Sequence, residues 1–390
     1  MYNRILNINL PKKQSAFLWG ARKTGKSTYL KQHFPDSIYY DLLKSDLYFN
    51  FSKEPFKLRE EILSLPTIEH PIIIDEVQKI PVLLDEVHWL IENTNAQFIL
   101  CGSSARKLRH KGVNLLGGRA WGYTFYPLVY QEINDFDLLK IFNHGAIPAH
   151  YTSLNPNKSL KAYVQDYLTL EIQAEGLVRN LPAFAKFLDS ISFNNGEMIN
   201  YANIARDCSI DAKTVKEYYQ ILIDTLLGYY VLPFNKRVNR GIISATPKFY
   251  LFDVGVANYI AKNKIQSLNG AAAGKSIEHY ILLELLAYRG INDLDFTINY
   301  WRAKTGLEVD FVLNINDEVL AAIEIKISAK IHQTDLKGLV AFAEEHNVKS
   351  LYVVSLEPRA RKIKISGKQT EILILPYQNF LKKLWSAEII

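Results

Sequence analysis

Cysteine and methionine are nearly missing from this 390-residue chain, which holds two of each. Cys101 and Cys208 lie far apart, with no second Cys or His at ligand spacing, so neither a disulfide framework nor a zinc site is supported and both read as buried thiols. Long apolar runs are lacking too. No segment approaches the ~20 residues of a membrane-spanning helix, and the opening MYNRILNINLPKKQ has no apolar stretch followed by a small-residue cleavage site, so a cytoplasmic protein is expected. There is no fixed-period repeat and no low-complexity tract, which excludes solenoids and long linkers. Charge is not one-sided either: a net +6 permits a polyanionic partner but is far weaker than a dedicated nucleic-acid-binding module shows.

What is present is the balance of an ordinary globular protein, 48% hydrophobic and 22% charged. At roughly 100–200 residues per domain, the length predicts three domains. Residues 15–19, SAFLW, read as a short buried strand running into GARKTGKS at 20–27, and TYLKQHF reads as the start of a helix. In a G-x-x-x-x-G-K-S loop, glycines let backbone N–H groups curl around phosphate oxygens at the positive end of a helix. Gly20, Ala21, Arg22, Lys23, Thr24, Gly25, Lys26, Ser27 and Thr28 are therefore the candidate nucleotide cradle. Lys26 reaches the β and γ phosphates, and Ser27 offers a hydroxyl to Mg²⁺.

A second motif, HPIIIDEVQKIP, is an apolar strand ending in Asp75 and Glu76. Asp75 can hold the Mg²⁺ shell and Glu76 can polarise an attacking water. A third strand, AQFILCGSS, ends in Ser103 and Ser104, with Ser103 as a candidate sensor of the γ-phosphate. In LLGGRAWGYTFYPL, Arg119 sits in a glycine-bounded turn and is the candidate arginine finger, with Arg106 and Arg109 as competitors.

With the string LLGGRAWGYTFYPLVYQEI, these motifs resemble a widespread family of bacterial and archaeal AAA-type ATPases whose C-terminal half is a domain of unknown function. The resemblance implies a P-loop domain, then a winged helix, then a fold similar to restriction endonucleases, with ATP and Mg²⁺ as cofactors and a homo-oligomeric assembly. In the middle, NYANIARDCSIDAKTVKEYYQILIDTLLGYYVLPF reads as helix-turn-helix: Ile204, Ala205, Val215 and Leu222 are apolar anchors, Ser209 and Asp211 mark turn and cap, and YYVLPF opens a β wing. Lys213, Lys216, Lys236, Arg237 and Arg240 make a modest basic footprint, diluted by Glu217.

From residue 276 the chain reads helix, strand, strand, strand, then alternating helix and strand, the core order of restriction-endonuclease-like folds. In AAIEIKIS, Glu324 and Lys326 share one strand face while Ile323, Ile325 and Ile327 share the other. Pairing of adjacent strands sets Asp310 of LEVDFVL near Glu324, giving a two-carboxylate site for a divalent cation. The resemblance implies a PD-(D/E)xK-type site carried by Asp310, Glu324 and Lys326, with Glu278 as a further metal-site acid; the proline before Asp310 is absent.

The expectation is an α/β protein in three parts: an AAA-type P-loop ATPase domain over 1–145, a helical and winged-helix domain over 146–265, and a PD-(D/E)xK nuclease-like domain over 266–390. Function reads as ATP hydrolysis coupled to DNA processing, branch migration or repair, with DNA as partner and a metal-dependent nuclease site. The alternative is a nucleotide-switched regulatory ATPase that gates a protein partner and carries a catalytically inactive nuclease-like domain. A third reading is a nonenzymatic DNA-binding regulator.

Overall fold

The computed structural model describes residues 2–103, 116–168, 178, 180–234, 246–365 and 370–390. Ser104, Arg106, Arg109, Lys236, Arg237 and Arg240 lie outside the described residues. The chain divides into two compact units, one of Met1–Leu128, Ile147–Ala149 and Ile221–Leu227, the other of Val129–Ala146, His150–Gln220 and Gly228–Ile390.

In the first unit, five strands form one sheet: β1 (Ser15–Trp19), β2 (Tyr39–Asp41), β3 (Ile72–Asp75), β4 (Phe98–Gly102) and β5 (Ala120–Thr124), in the order β2-β3-β4-β1-β5. Every pairing is parallel. A parallel sheet is covered on both faces, which is why IIID and FILCG are continuous apolar runs rather than alternating ones, buried throughout. The helix Leu83–Asn93 buries Leu83, Leu84, Val87, Leu90 and Ile91, a stripe at helical spacing, into the core of Phe17, Ile72, Ile74 and Leu100. Each such side chain contributes roughly 1.5–3 kcal/mol when fully buried.

This order decides where the chemistry lies. β4 inserts between β1 and β3, so the carboxyl ends of three adjacent strands present Gly20, Ser103 and Asp75 along one rim. Register confirms it: Trp19 pairs with Gly102 and Asp75 with Cys101. In open parallel sheets, ligands bind at that rim.

In the second unit, the helices Leu181–Phe193 and Tyr201–Cys208, and the helix Ala212–Asp224 as far as Gln220, precede β6 (Gly228–Pro233) and β7 (Lys248–Leu251). The turn between the second and third helices is built locally. Ser209 adopts φ 57°, and the Asp211 carboxylate accepts from the N–H groups of Lys213 and Thr214, each at 2.9 Å. Ile204, Ala205, Val215 and Leu222 are buried, whereas Lys213, Lys216 and Glu217 are exposed.

β6 and β7 pair antiparallel and join β8 (Thr297–Arg302), β9 (Glu308–Ile315), β10 (Glu318–Ile325), β11 (Val348–Ser355), β12 (Arg361–Lys364) and β13 (Glu371–Pro376) in one eight-stranded sheet, ordered β12-β13-β11-β10-β9-β8-β6-β7. β8, β9 and β10 run antiparallel to their neighbours in that group, and β10, β11 and β13 run parallel to one another. The 22-residue helix Gly270–Ile291 precedes β8, and the helix Lys337–Glu345 connects β10 to β11. No helix among the described residues is long and apolar enough to cross a membrane.

Candidate functional site

The phosphate loop sits between β1 and the helix Lys26–His33. Gly25, immediately before the helix, has φ 100°, a conformation that favours glycine. Gly20 is demanded by space, since a Cβ there would lie 2.3 Å from the carbonyl oxygen of Phe125. Arg4 braces the loop from below, donating to the carbonyls of Thr24 (2.8 Å) and Tyr126 (2.7 Å) while lying over the Phe125 ring. The Thr24 hydroxyl donates to Ala21 O at 2.7 Å, and Lys23 and Thr28 are exposed.

Lys26 is buried, and its ammonium donates to the loop's own carbonyls, Gly20 O at 2.6 Å and Ala21 O at 3.0 Å. Asp75, at the end of β3, accepts from three neutral donors: Ser27 Oγ at 2.6 Å, Tyr39 Oη at 2.5 Å and the Glu76 N–H at 3.0 Å. Burial, and then the neighbouring Asp75 carboxylate, hold the Tyr39 hydroxyl well above its ordinary pKa, so it remains a donor. Ser27 and Asp75 thus place a hydroxyl and a carboxylate oxygen face to face, the oxygen donors Mg²⁺ takes when phosphates and water complete its octahedron.

Glu76 adopts φ 60°, a left-handed backbone rarely tolerated outside glycine and concentrated at functional sites. Its carboxylate accepts from Gln78 Nε2 at 2.5 Å, and the same amide nitrogen donates to Ser103 Oγ at 3.1 Å. Arg22 lies 3.8 Å away. Burial raises the Glu76 pKa and Asp75 adds to the rise, while Arg22 and Lys26 oppose it.

A second group of acids lies on the eight-stranded sheet. Asp310 of β9 accepts the Ile325 N–H at 2.7 Å, and Lys326 Nζ lies 2.5 Å from Glu324 Oε1. Glu324 Oε2 is buried without a hydrogen-bond partner. Burial pushes the Glu324 carboxyl up to about 7, and burial followed by Glu324 and Glu278 pushes Asp310 well above the carboxylate range. Glu278 accepts from Tyr250 Oη at 2.5 Å and faces Lys248 at 3.4 Å. Lys248 also lies 2.5 Å from Glu308, which faces Arg302 at 3.6 Å. Among the described residues, no three His, Cys, Asp or Glu side chains converge closely enough to hold a metal ion.

Residues 12–134 match the AAA domain family. Residues 135–267 match a domain of unknown function (DUF8612), and 273–377 match another (DUF4143). Among curated proteins, an uncharacterized protein of Haemophilus influenzae is 22% identical over 388 residues, covering 90% of each chain. Uncharacterized proteins of Mycobacterium tuberculosis and Mycobacterium bovis are each 24% identical over 272 residues, 67% of this chain, which spans 59% of their length. Among solved structures, the Aeropyrum pernix Orc1 protein in complex with DNA overlaps 65% of this chain and 87% of its own at 15% identity and a TM-score of 0.30, too loose to carry an argument.

Within the AAA domain, Arg119 stands apart from the loop. Its carbonyl accepts the Ser15 N–H at 2.9 Å, at the amino end of β1, and its guanidinium pairs with Glu92. It is therefore at the opposite end of β1 from Lys26. Sequence reasoning missed Arg4, Tyr39 and Gln78 in the first unit, and Lys248 and Glu308 at the second cluster. Gln78 alone carried a signal, two residues after Glu76; the others arrive through topology.

Proposed function

We propose that the AAA domain binds ATP with Mg²⁺ and hydrolyses it. The observation that carries this is the convergence of Lys26, Ser27, Asp75 and Glu76 on one rim, with Ser103 tied to Glu76 through Gln78. The loop N–H groups and Lys26 bind and orient the phosphates. Glu76 takes the proton of the attacking water, and its raised pKa suits a group that must accept and then release it. Bound Mg²⁺ supplies neutralisation of the phosphate charge, held through Ser27 and Asp75. Arg119, remote from the loop of its own chain, acts on the nucleotide of a neighbouring copy in a homo-oligomer.

Turnover is coupled to DNA. The helix Ala212–Asp224 with the β6–β7 pair is a winged-helix arrangement whose exposed Lys213 and Lys216 suit phosphate contacts. The segment from Gly270 onward is a restriction-endonuclease-like fold, a reading supported by its helix, three antiparallel strands, helix and parallel strand. Steady-state ATP turnover with duplex, single-stranded and branched DNA, with strand cleavage followed in parallel, tests this. Stimulation by one DNA form is expected, and turnover indifferent to all of them overturns the DNA assignment.

One observation favours the alternative for the C-terminal part. Lysines already occupy the acids there, which suits a nuclease-like platform without cleavage in a nucleotide-switched ATPase that gates a protein partner. Cleavage lost on Asp310→Ala overturns that alternative.

A further inference from the structure

The acids assigned to the C-terminal site are not free to gather around a divalent ion. A hard cation of this kind takes several carboxylate oxygens at once. Each carboxylate of the cluster instead already has a donor. Asp310 holds the Ile325 N–H, Glu324 holds Lys326, and Glu278 and Glu308 share one ammonium, that of Lys248.

Lys248 does not come from the helix-and-sheet segment that carries those acids. It is the first residue of β7, paired with Val231 of β6, and it lies 30 residues before Glu278. Its side chain is only 6% exposed, and its ammonium lies 5.4 Å from the centre of the Tyr300 ring. A buried ammonium survives only when paired, and this one has two carboxylates. Burial pulls its pKa down, but Glu278, Asp310 and Glu308 together hold it above the ordinary lysine value. Tyr250, two residues on and therefore on the same strand face, adds its hydroxyl to Glu278 at 2.5 Å. One strand thus supplies both the charge and the hydrogen bond that satisfy Glu278.

We propose that Lys248 is the resident cation of this acid cluster and closes it to a divalent ion for as long as β7 stays in place. The inference rests on reading Asp310, Glu324 and Glu278 as a nuclease-like site. It makes Lys248 a positioning residue that holds Glu278 and Glu308 against β7. Without it, Glu278 keeps only the Tyr250 hydroxyl and Glu308 only the half-exposed Arg302, beside Asp310 and the unpartnered Glu324 Oε2, an excess of negative charge that a divalent ion offsets.

The test is Mn²⁺ binding by the full-length, nucleotide-free protein, read as loss of the free-ion electron paramagnetic resonance signal and as the Mn²⁺-induced shift in melting temperature. Asp310→Asn marks uptake at this cluster and separates it from any at the phosphate loop. Wild type is expected to show no uptake that Asp310→Asn removes. Lys248→Met is expected to gain one such site, bound on the order of tenfold tighter than any in wild type, with a melting temperature that Mn²⁺ raises. Lys248→Gln, which keeps a donor toward Glu308 without the charge, is read the same way if the methionine variant does not fold, and Lys248→Arg is expected to stay closed. Uptake by wild type as tight as by the uncharged variants, and lost in Asp310→Asn, overturns the role of Lys248 and leaves the metal-site reading standing. No uptake by a folded Lys248→Met or Lys248→Gln protein overturns the metal-site reading itself, and the proposal with it.

Discussion

Two groups of carboxylates in this chain, Asp75 with Glu76 at the end of β3 and Glu278, Glu308 and Glu324 at the eight-stranded sheet, are satisfied in opposite ways. Asp75 accepts from neutral donors, among them two hydroxyls and an N–H, and the nearest cation to Glu76 is 3.8 Å away. Glu324 has an ammonium at 2.5 Å, and Glu278 and Glu308 share another. Neutral donors orient a carboxylate and leave its charge for an arriving cation, whereas an ammonium spends that charge in advance. The AAA-domain pair thus keeps its charge available, whereas the C-terminal group is compensated from within the fold.

The comparison is broken most directly at the loop. Lys26→Ala is expected to lower ATP turnover by about 10²–10³-fold, the usual loss when one preorganised charge-stabilising donor is removed, and to weaken nucleotide binding in a fluorescence titration. Unchanged turnover would remove the rim from the chemistry altogether. Glu76→Gln is expected to lower turnover by roughly 10²-fold or more, as loss of a general base does, with nucleotide binding retained. Parallel loss of binding and turnover would make Glu76 a structural acid like those on the other sheet.

A smaller effect sharpens the contrast through pH. Glu324 is raised to about 7, chiefly by burial, and Glu284, which accepts from Tyr280, Trp385 and the Tyr130 N–H, is likewise raised to about 7 by burial. A carboxyl whose folded pKa exceeds its unfolded value near 4.5 binds more protons when folded, so its stabilising contribution is complete below about pH 4.5 and is lost as pH rises through about 7. The denaturation midpoint of the second unit should therefore fall between pH 5 and pH 8. A flat profile would show that these acids are fully compensated in the folded state.

What could be read in the sequence was whatever is contiguous. GARKTGKS carries its loop, its lysine and its helix start within a few residues, and IIIDE carries strand and acids together, so their chemistry needs no tertiary knowledge. The alternation in AAIEIKIS placed Glu324 and Lys326 on one face, and their side chains do meet. Tyr39 was invisible because β2 becomes the neighbour of β3 only through the sheet order. Lys248 was invisible for a stronger reason: an isolated lysine in PKFYLF signals a solvated strand end, and only packing against Glu278 and Glu308 makes it a buried ion. Arg119 depends on topology as well: at the other end of β1 from its own loop and paired with Glu92, it leaves the arginine-finger reading to a neighbouring copy.

The fold of Lys26 onto Gly20 O and Ala21 O has a thermodynamic corollary. Nucleotide association at this loop is a substitution, with two ammonium–carbonyl bonds given up for each set of ammonium–phosphate bonds gained. Calorimetry would register only the difference between them. The same internal ligation keeps the ammonium desolvated and the loop curled before any phosphate arrives, so the ordering entropy is already lost in the free protein. A nucleotide that reaches the rim meets a cradle of fixed shape and needs to displace one tethered cation to enter it.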